Sequence, residues 1–199
     1  MNLPKNRARR VIVVTGTPGT GKTTLAKNLA KEIDAGYVAL TQFISERKLY
    51  TGFDWERGSR VVNLARASAS LHRFLLESRR ATVVDTHIPE GIVPKELVKL
   101  VFVLRCHPRI LEKRLAKKKW KQSKIRENVL AEMLDVCLIN AVKWFRRSRV
   151  IQLDTSHIRA SKCVATAKQN LLAPPRRRFR IDWIATLNKE HSLAKYLEW

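Results

Sequence analysis

Apolar residues fall into short, nearly unbroken blocks separated by longer stretches in which they recur every three to four positions. Four blocks rich in Val, Ile and Leu stand out: VIVVTG (11–16), TVVDTH (82–87), LVFVLR (100–105) and RVIQLD (149–154). GYVAL (36–40) is a weaker fifth. Blocks without polar alternation predict strands covered on both faces, because a strand with one wet face would alternate. Between them, KTTLAKNLAKEI places Leu25, Leu29 and Ile33 on one helical face, and SRVVNLARASASLHRFLLES does the same with Val61, Leu64, Leu71 and Leu75. Ser123–Phe145 predicts the longest helix, with Ser123 as N-cap and Arg126 and Glu127 in its first turn. Strand and helix in alternation predict an α/β fold, a parallel sheet with helices on both faces. No internal repeat is visible.

The first block runs straight into a turn built of backbone. Gly16-Thr17-Pro18-Gly19-Thr20-Gly21-Lys22-Thr23 fits the pattern G-x-x-x-x-G-K-[ST], after a strand and before an amphipathic helix. Glycines there let the chain wrap a phosphate with its N–H groups inward, and the helix start adds the positive end of its dipole. Lys22 offers a point charge to the β and γ phosphates, and the Thr23 hydroxyl is placed to ligate magnesium. The alternative is a Gly-rich turn without chemistry.

Two further constellations belong to the same edge of the sheet. Asp85 closes the block TVVD and, as a carboxylate at a strand's carboxyl end, can hold magnesium directly or through water; it could also serve only loop N–H groups. His87, two residues on, either orients a water or second substrate or is a bystander. In RCHPRILEKRLAKKKW, Arg105 ends a strand, and Arg114 and Lys117, Lys118 and Lys119 follow. Such cations would close over phosphates, the bland alternative being a solvated helical face.

Composition narrows the picture. The 199 residues are 45% hydrophobic, which suits one compact unit with a tail. Residues 1–10 form a basic N-terminal extension, 11–172 the main domain, and 173–199 a basic appendage announced by LLAPPRRRFRIDW. The tail's last part predicts a short amphipathic helix with Trp183, Leu187, Leu193 and Leu197 for docking, on its own domain or on a partner. With 40 Lys and Arg against 17 Asp and Glu, the formal charge of +23 implies an attraction for phosphate in some form, unless it only reflects a basic proteome. Cys106, Cys137 and Cys163 are scattered and odd in number, which favours free thiols as small apolar fillers in a reducing compartment. No apolar run approaches 18 residues, so the expected location is the cytoplasm, with no membrane association.

With GTPGTGKTT, VDTH, VFVLRCHPRILEKRL and ENVLAEMLDV in this order, the chain resembles the P-loop nucleoside monophosphate kinases. Within them it is similar to the adenylate kinase isoenzyme six family and its archaeal members, over about residues 11 to 160. The resemblance implies a P-loop NTPase fold, a five-stranded parallel sheet with a monophosphate-binding arm around 39–57 and a short lid around 117–127. It implies that Gly19, Gly21, Lys22, Thr23 and Thr24 hold ATP phosphates, that Arg114 and Lys118 are lid contacts, and that His157 lies near the adenine. Lys118 stands where the family's lid commonly carries an Arg, and Ser45 where the arm often has one, with Arg47 nearby as its substitute. Also implied are work in small ribosomal subunit maturation and binding of the platform protein called universal small-subunit protein eleven. Pre-ribosomal RNA is a further expected partner, compatible with the basic charge.

Two readings of function follow. One is an enzyme that moves the ATP γ-phosphoryl group to AMP or another nucleoside monophosphate, with Lys22, Asp85 and His87 as catalytic residues, magnesium held by Thr23 and Asp85, and ATPase activity alongside. The other is an ATP-switched ribosome assembly factor with little kinase activity, supported by the surplus of Arg and Lys that includes Arg176, Arg177, Arg178 and Arg180. An AAA-type motor fragment is disfavoured, because VVDTH lacks the Asp-Glu pair such motors use and the chain is short.

Overall fold

Side chains from Val11 to Val14 are almost fully buried and alternate between two separate cores, as a strand covered on both faces requires. In the computed structural model, residues 10–55, 59–173 and 180–198 are described. Among them run β1 (Val11–Gly16), β2 (Gly36–Ala39), β3 (Tyr50–Asp54), β4 (Ser59–Val62), β5 (Thr82–Asp85), β6 (Val98–Arg105) and β7 (Val150–Asp154). Five of these form one sheet in the order β2-β5-β1-β6-β7, with every neighbouring pair parallel. The five apolar blocks of the sequence are these five strands.

Helices α1 (Lys22–Glu32) and α7 (Ala160–Leu172) cover one face, where Leu25, Leu29, Val164 and Leu171 meet Ile12, Val14, Phe102 and Leu104. The other face carries α2 (Leu40–Glu46), α3 (Leu64–Glu77) and α6 (Val136–Phe145), which bring Phe43, Leu71 and Phe145 against Val13, Val101 and Val103. A third core gathers where β6 ends at Cys106. It joins α4 (Pro108–Lys117) and α5 (Gln122–Met133) to α8 (Trp183–Lys189) and α9 (Ala194–Leu197) through Leu111, Leu115, Val129, Trp183, Leu187 and Tyr196.

The structure corrects three expectations. Residues 59–78 are not one helix: Ser59–Val62 pair with β3 as an antiparallel hairpin, and the helix begins at Leu64. The boundary is set by Asn63, whose side chain accepts the Arg66 N–H at 3.0 Å. Val61 and Leu64 are therefore exposed, and the buried stripe is Ala67, Leu71 and Leu75. Second, 123–145 is two helices, because Asp135 turns into the left-handed region at φ 57 and ion-pairs with Arg105. Third, the first of these helices is entered from Lys121 in extended conformation, not from Ser123.

Beyond Ala173 the described residues pack on the rest of the chain. Trp183 and Leu187 are buried and Leu193 is half-buried, as docking demands, but Leu197 is 73% exposed and Tyr196 fills its expected place. The N-terminal extension before Arg10, residues 56 and 57 of the expected arm, and Arg176, Arg177 and Arg178 lie outside the described residues. Cys106, Cys137 and Cys163 are free thiols, and burial pushes the Cys106 thiol up to about 11. Among the described residues, no helix is long and apolar enough to cross a membrane.

Candidate active site

The carboxyl ends of β1, β5 and β6 carry the loops that meet at the middle of the sheet, where open α/β sheets place their ligands. β1 leaves into the glycine-rich turn with no room for a side chain: a Cβ on Gly16 would stand 2.5 Å from the Leu104 carbonyl oxygen. The turn ends at Gly21, whose φ of 98 opens α1 without any side-chain cap or first-turn acid. The first N–H groups of α1 are thus left for an anion.

Lys22 and Thr23 start that helix and face β5. Thr23 Oγ1 donates to Asp85 Oδ2 at 2.6 Å, and the Tyr37 hydroxyl donates to the same oxygen at 3.2 Å. Burial and the adjacent carboxylate push the Tyr37 phenol up to about 12, so it remains a donor. Lys22 Nζ rests on the Thr17 carbonyl oxygen at 3.1 Å. Burial lowers its pKa and nearby Lys118 adds to that, while Asp85 opposes both. His87 stands exposed beyond the end of β5, with its pKa lowered by partial desolvation and by Lys22. Lys22, Thr23, Asp85 and His87 therefore share one electrostatic neighbourhood.

Two clefts flank them. One of about 240 Å³ is lined by Gly19, Gly21, Thr24, Arg114, Thr155 and Ile158. Arg114 is braced there, with Nη2 donating to the Thr155 carbonyl at 2.6 Å, and Thr155 Oγ1 in turn donates to the Thr20 carbonyl at 2.8 Å. His157 does not line this cleft; it is exposed on the loop after β7, and its neighbour Ile158 supplies the wall. The second cleft, about 510 Å³, opens between α2, the hairpin and the loop after β5, and is lined by Leu40, Ile44, Tyr50, Arg60, Thr86 and His87 among others. Lys118, at the C-cap of α4, is exposed at the four-residue turn into α5.

Two cations sit elsewhere than the sequence suggested. Arg105 is 1% exposed and cannot reach a phosphate: its Nε donates to Glu132 Oε1 at 2.8 Å, its Nη1 to Gln152 Oε1 at 2.8 Å, and its Nη2 to Asp135 Oδ1. Arg47 stacks on the Phe43 ring at 3.9 Å and lines a different hollow, whereas Arg60 lies at the second cleft.

Sequence reading missed Glu132, which is 2% exposed. Its Oε1 accepts from Arg105 Nε, from the Cys106 N–H at 3.1 Å and from Trp183 Nε1 at 2.9 Å, and its Oε2 accepts from Thr17 Oγ1 at 2.6 Å. A buried carboxylate needs partners of this number to offset lost hydration. The available signal was an acid three residues after Val129 and seven after Ile125, on the apolar stripe of α5.

Comparison with known proteins places this arrangement among relatives. Residues 12–135 match the family model described as "AAA domain". The chain is 31% identical to the "putative adenylate kinase" of Methanocaldococcus jannaschii over 86% of its own length and 92% of the relative's. It is 37% identical to the protein of the same description from Pyrococcus abyssi, over 74% of this chain and 76% of that one. A shikimate kinase from Acinetobacter baumannii, solved in complex with shikimate, superposes with a TM-score of 0.57 at 18% identity, over 84% of this chain and 96% of the other, a likeness of fold.

Proposed function

Since the chain belongs to the nucleoside monophosphate kinase family of P-loop proteins, we propose that it transfers the γ-phosphoryl group of ATP to AMP or another nucleoside monophosphate. The observation that carries this reading is the placement of Lys22, Thr23 and Asp85 between two clefts. One is lined by the glycine-rich loop, the other by the residues that directly follow Asp85.

The first cleft suits the donor nucleotide, with Gly19, Gly21 and Thr24 on its phosphates and Ile158 against its base. The second suits the acceptor, with apolar walls for a nucleoside and Arg60 and His87 at hand for its phosphate. The bond from the γ phosphorus to its bridging oxygen breaks, and one from that phosphorus to an acceptor phosphate oxygen forms, leaving ADP. Lys22 would hold charge at the transferred group, and His87 would orient the acceptor oxygen, or a water in the accompanying ATPase reaction.

Thr23 and Asp85 fit magnesium chemically, being hard oxygen donors 2.6 Å apart on facing elements. Bound there with ATP, the ion would neutralise charge on the β and γ phosphates. Lys118 and braced Arg114 would serve the donor side, Lys118 as a point charge rather than a fork.

The formal charge of +23 supports a second role for the same nucleotide site, in maturation of the small ribosomal subunit beside its RNA and platform protein in the cytoplasm. On this reading nucleotide state governs attachment to the particle, and the kinase reaction accompanies it.

A coupled assay with a panel of monophosphates, beside ATP hydrolysis without acceptor, tests the enzyme. Lys22→Ala is expected to lower turnover by at least about 100-fold; unchanged turnover removes the loop from the reaction. Association with small-subunit components that is indifferent to nucleotide would count against the assembly role.

A further inference from the structure

We propose that Trp183, on the short helix beyond the family-matched region, is a positioning residue for the glycine-rich loop, acting through Glu132 and Thr17. The inference rests on the reading of that loop as the ATP site.

A continuous chain of hydrogen bonds carries it. Trp183 is 5% exposed, and its indole N–H donates to Glu132 Oε1 at 2.9 Å. Through its other oxygen, the same carboxylate accepts the Thr17 hydroxyl at 2.6 Å. The Thr17 carbonyl in turn receives Lys22 Nζ at 3.1 Å and Thr20 Oγ1 at 2.8 Å. A residue 161 positions after Lys22 thus stands three links from the ammonium proposed to meet the γ phosphate.

Trp183 is itself held from several sides. His107 packs edge-on at 5.4 Å between ring centroids, and the Arg105 guanidinium stands 5.9 Å from the indole. Asp182 caps α8 by accepting the Ala185 N–H at 3.0 Å, and Lys195 ties α9 to Glu112 at 2.7 Å. Apolar burial alone would dock this segment through Leu187 and Tyr196. The indole adds what burial cannot supply, a donor aimed at a buried carboxylate. Without it the buried Glu132 carboxylate would have one partner fewer and would reorient toward Arg105 and Cys106, releasing Thr17.

The position is separable from general packing. Trp183→Phe keeps an aromatic ring and removes the N–H, whereas Leu187→Ala loosens the same helix without touching Glu132. In the 199-residue chain, Trp183→Phe is expected to raise the KM for Mg-ATP by roughly three- to tenfold, leaving the acceptor KM unchanged. Leu187→Ala is expected to lower Tm with the ATP KM within about twofold of wild type. In a Thr17→Val background, Trp183→Phe should have no further effect on ATP.

A second measurement needs no variant. Positional coupling is reciprocal, so Mg-ATP should slow amide hydrogen exchange over residues 180–198 of the wild-type chain. Equal ATP affinity in wild type and Trp183→Phe, an equal loss in Leu187→Ala, or exchange indifferent to ATP would each overturn the inference. A wild-type chain that binds no Mg-ATP would remove the functional reading beneath it as well. If the Phe variant does not fold, the exchange measurement decides.

Discussion

A guanidinium can meet a phosphate only where its N–H edge faces the space the phosphate enters, and Arg47 and Arg60 differ in this respect. The Arg47 guanidinium stands over Phe43 at 3.9 Å and near Phe74 at 5.8 Å, beside a hollow other than the second cleft. Arg60 comes from the hairpin, stands over the Tyr50 ring at 5.0 Å and lines the cleft with His87. Arg60→Ala is therefore expected to raise the KM for the monophosphate by about tenfold or more while leaving that for ATP unchanged. Arg47→Ala should leave both within about twofold, and equal effects would return the role to Arg47. The positions of the loop and Asp85 at one edge of the sheet were legible because each follows directly from the end of an apolar strand block. Arg105 and Glu132 were not, because charge in a sequence reads as surface until the partner, 27 residues away, is seen.

At the scale of elements, the five strands of the sheet were legible because both of its faces are covered, so that their residues are mostly apolar without alternation. The hairpin and the break at Asp135 were hidden for opposite reasons. Val61 fits a helical spacing by coincidence although its β-branched stem suits a strand, and the break depends on a left-handed residue whose ion pair with Arg105 is remote in sequence. The glycines of the loop allow a sharper expectation, since two of them are required for different reasons. A side chain at Gly16, φ 139, would press on the Leu104 carbonyl at 2.5 Å, at the last pair of the β1–β6 register. At Gly21, φ 98, a Cβ would meet nothing within 4 Å and only the backbone conformation is strained. Gly16→Ala is expected to cost about 2–4 kcal/mol, and Gly21→Ala about 1 kcal/mol. Chemical denaturation of the ligand-free variants checks the order, and equal losses would mean that the strand pair yields to the added carbon.

For the molecule as a whole, the question is whether the chain after Ala173 is an appendage or part of the domain. Its composition changes abruptly at two prolines and a run of arginines, which reads as a boundary. Its apolar residues nevertheless complete a core that α4 and α5 cannot close, with Leu111, Leu115, Ile125, Val129 and Met133 on one side and Ile181, Trp183, Leu187 and Tyr196 on the other. Burying Trp183, Leu187 and Tyr196 contributes roughly 1.5–3 kcal/mol each, and part of that offsets the entropy of ordering the segment. Each kcal/mol of net loss moves the midpoint by about 2–4 °C for a chain of this size. A chain ending at Ala173 should melt below the 199-residue one, bind a hydrophobic dye, and lose ATP affinity together with stability, since Glu132 loses a donor as its apolar surroundings open. Thermal melts followed by circular dichroism, with Mg-ATP titrated into both chains, would read each of these. An unchanged Tm with unchanged ATP binding would mean that the main domain closes its third core alone and that the C-terminal helices only rest upon it.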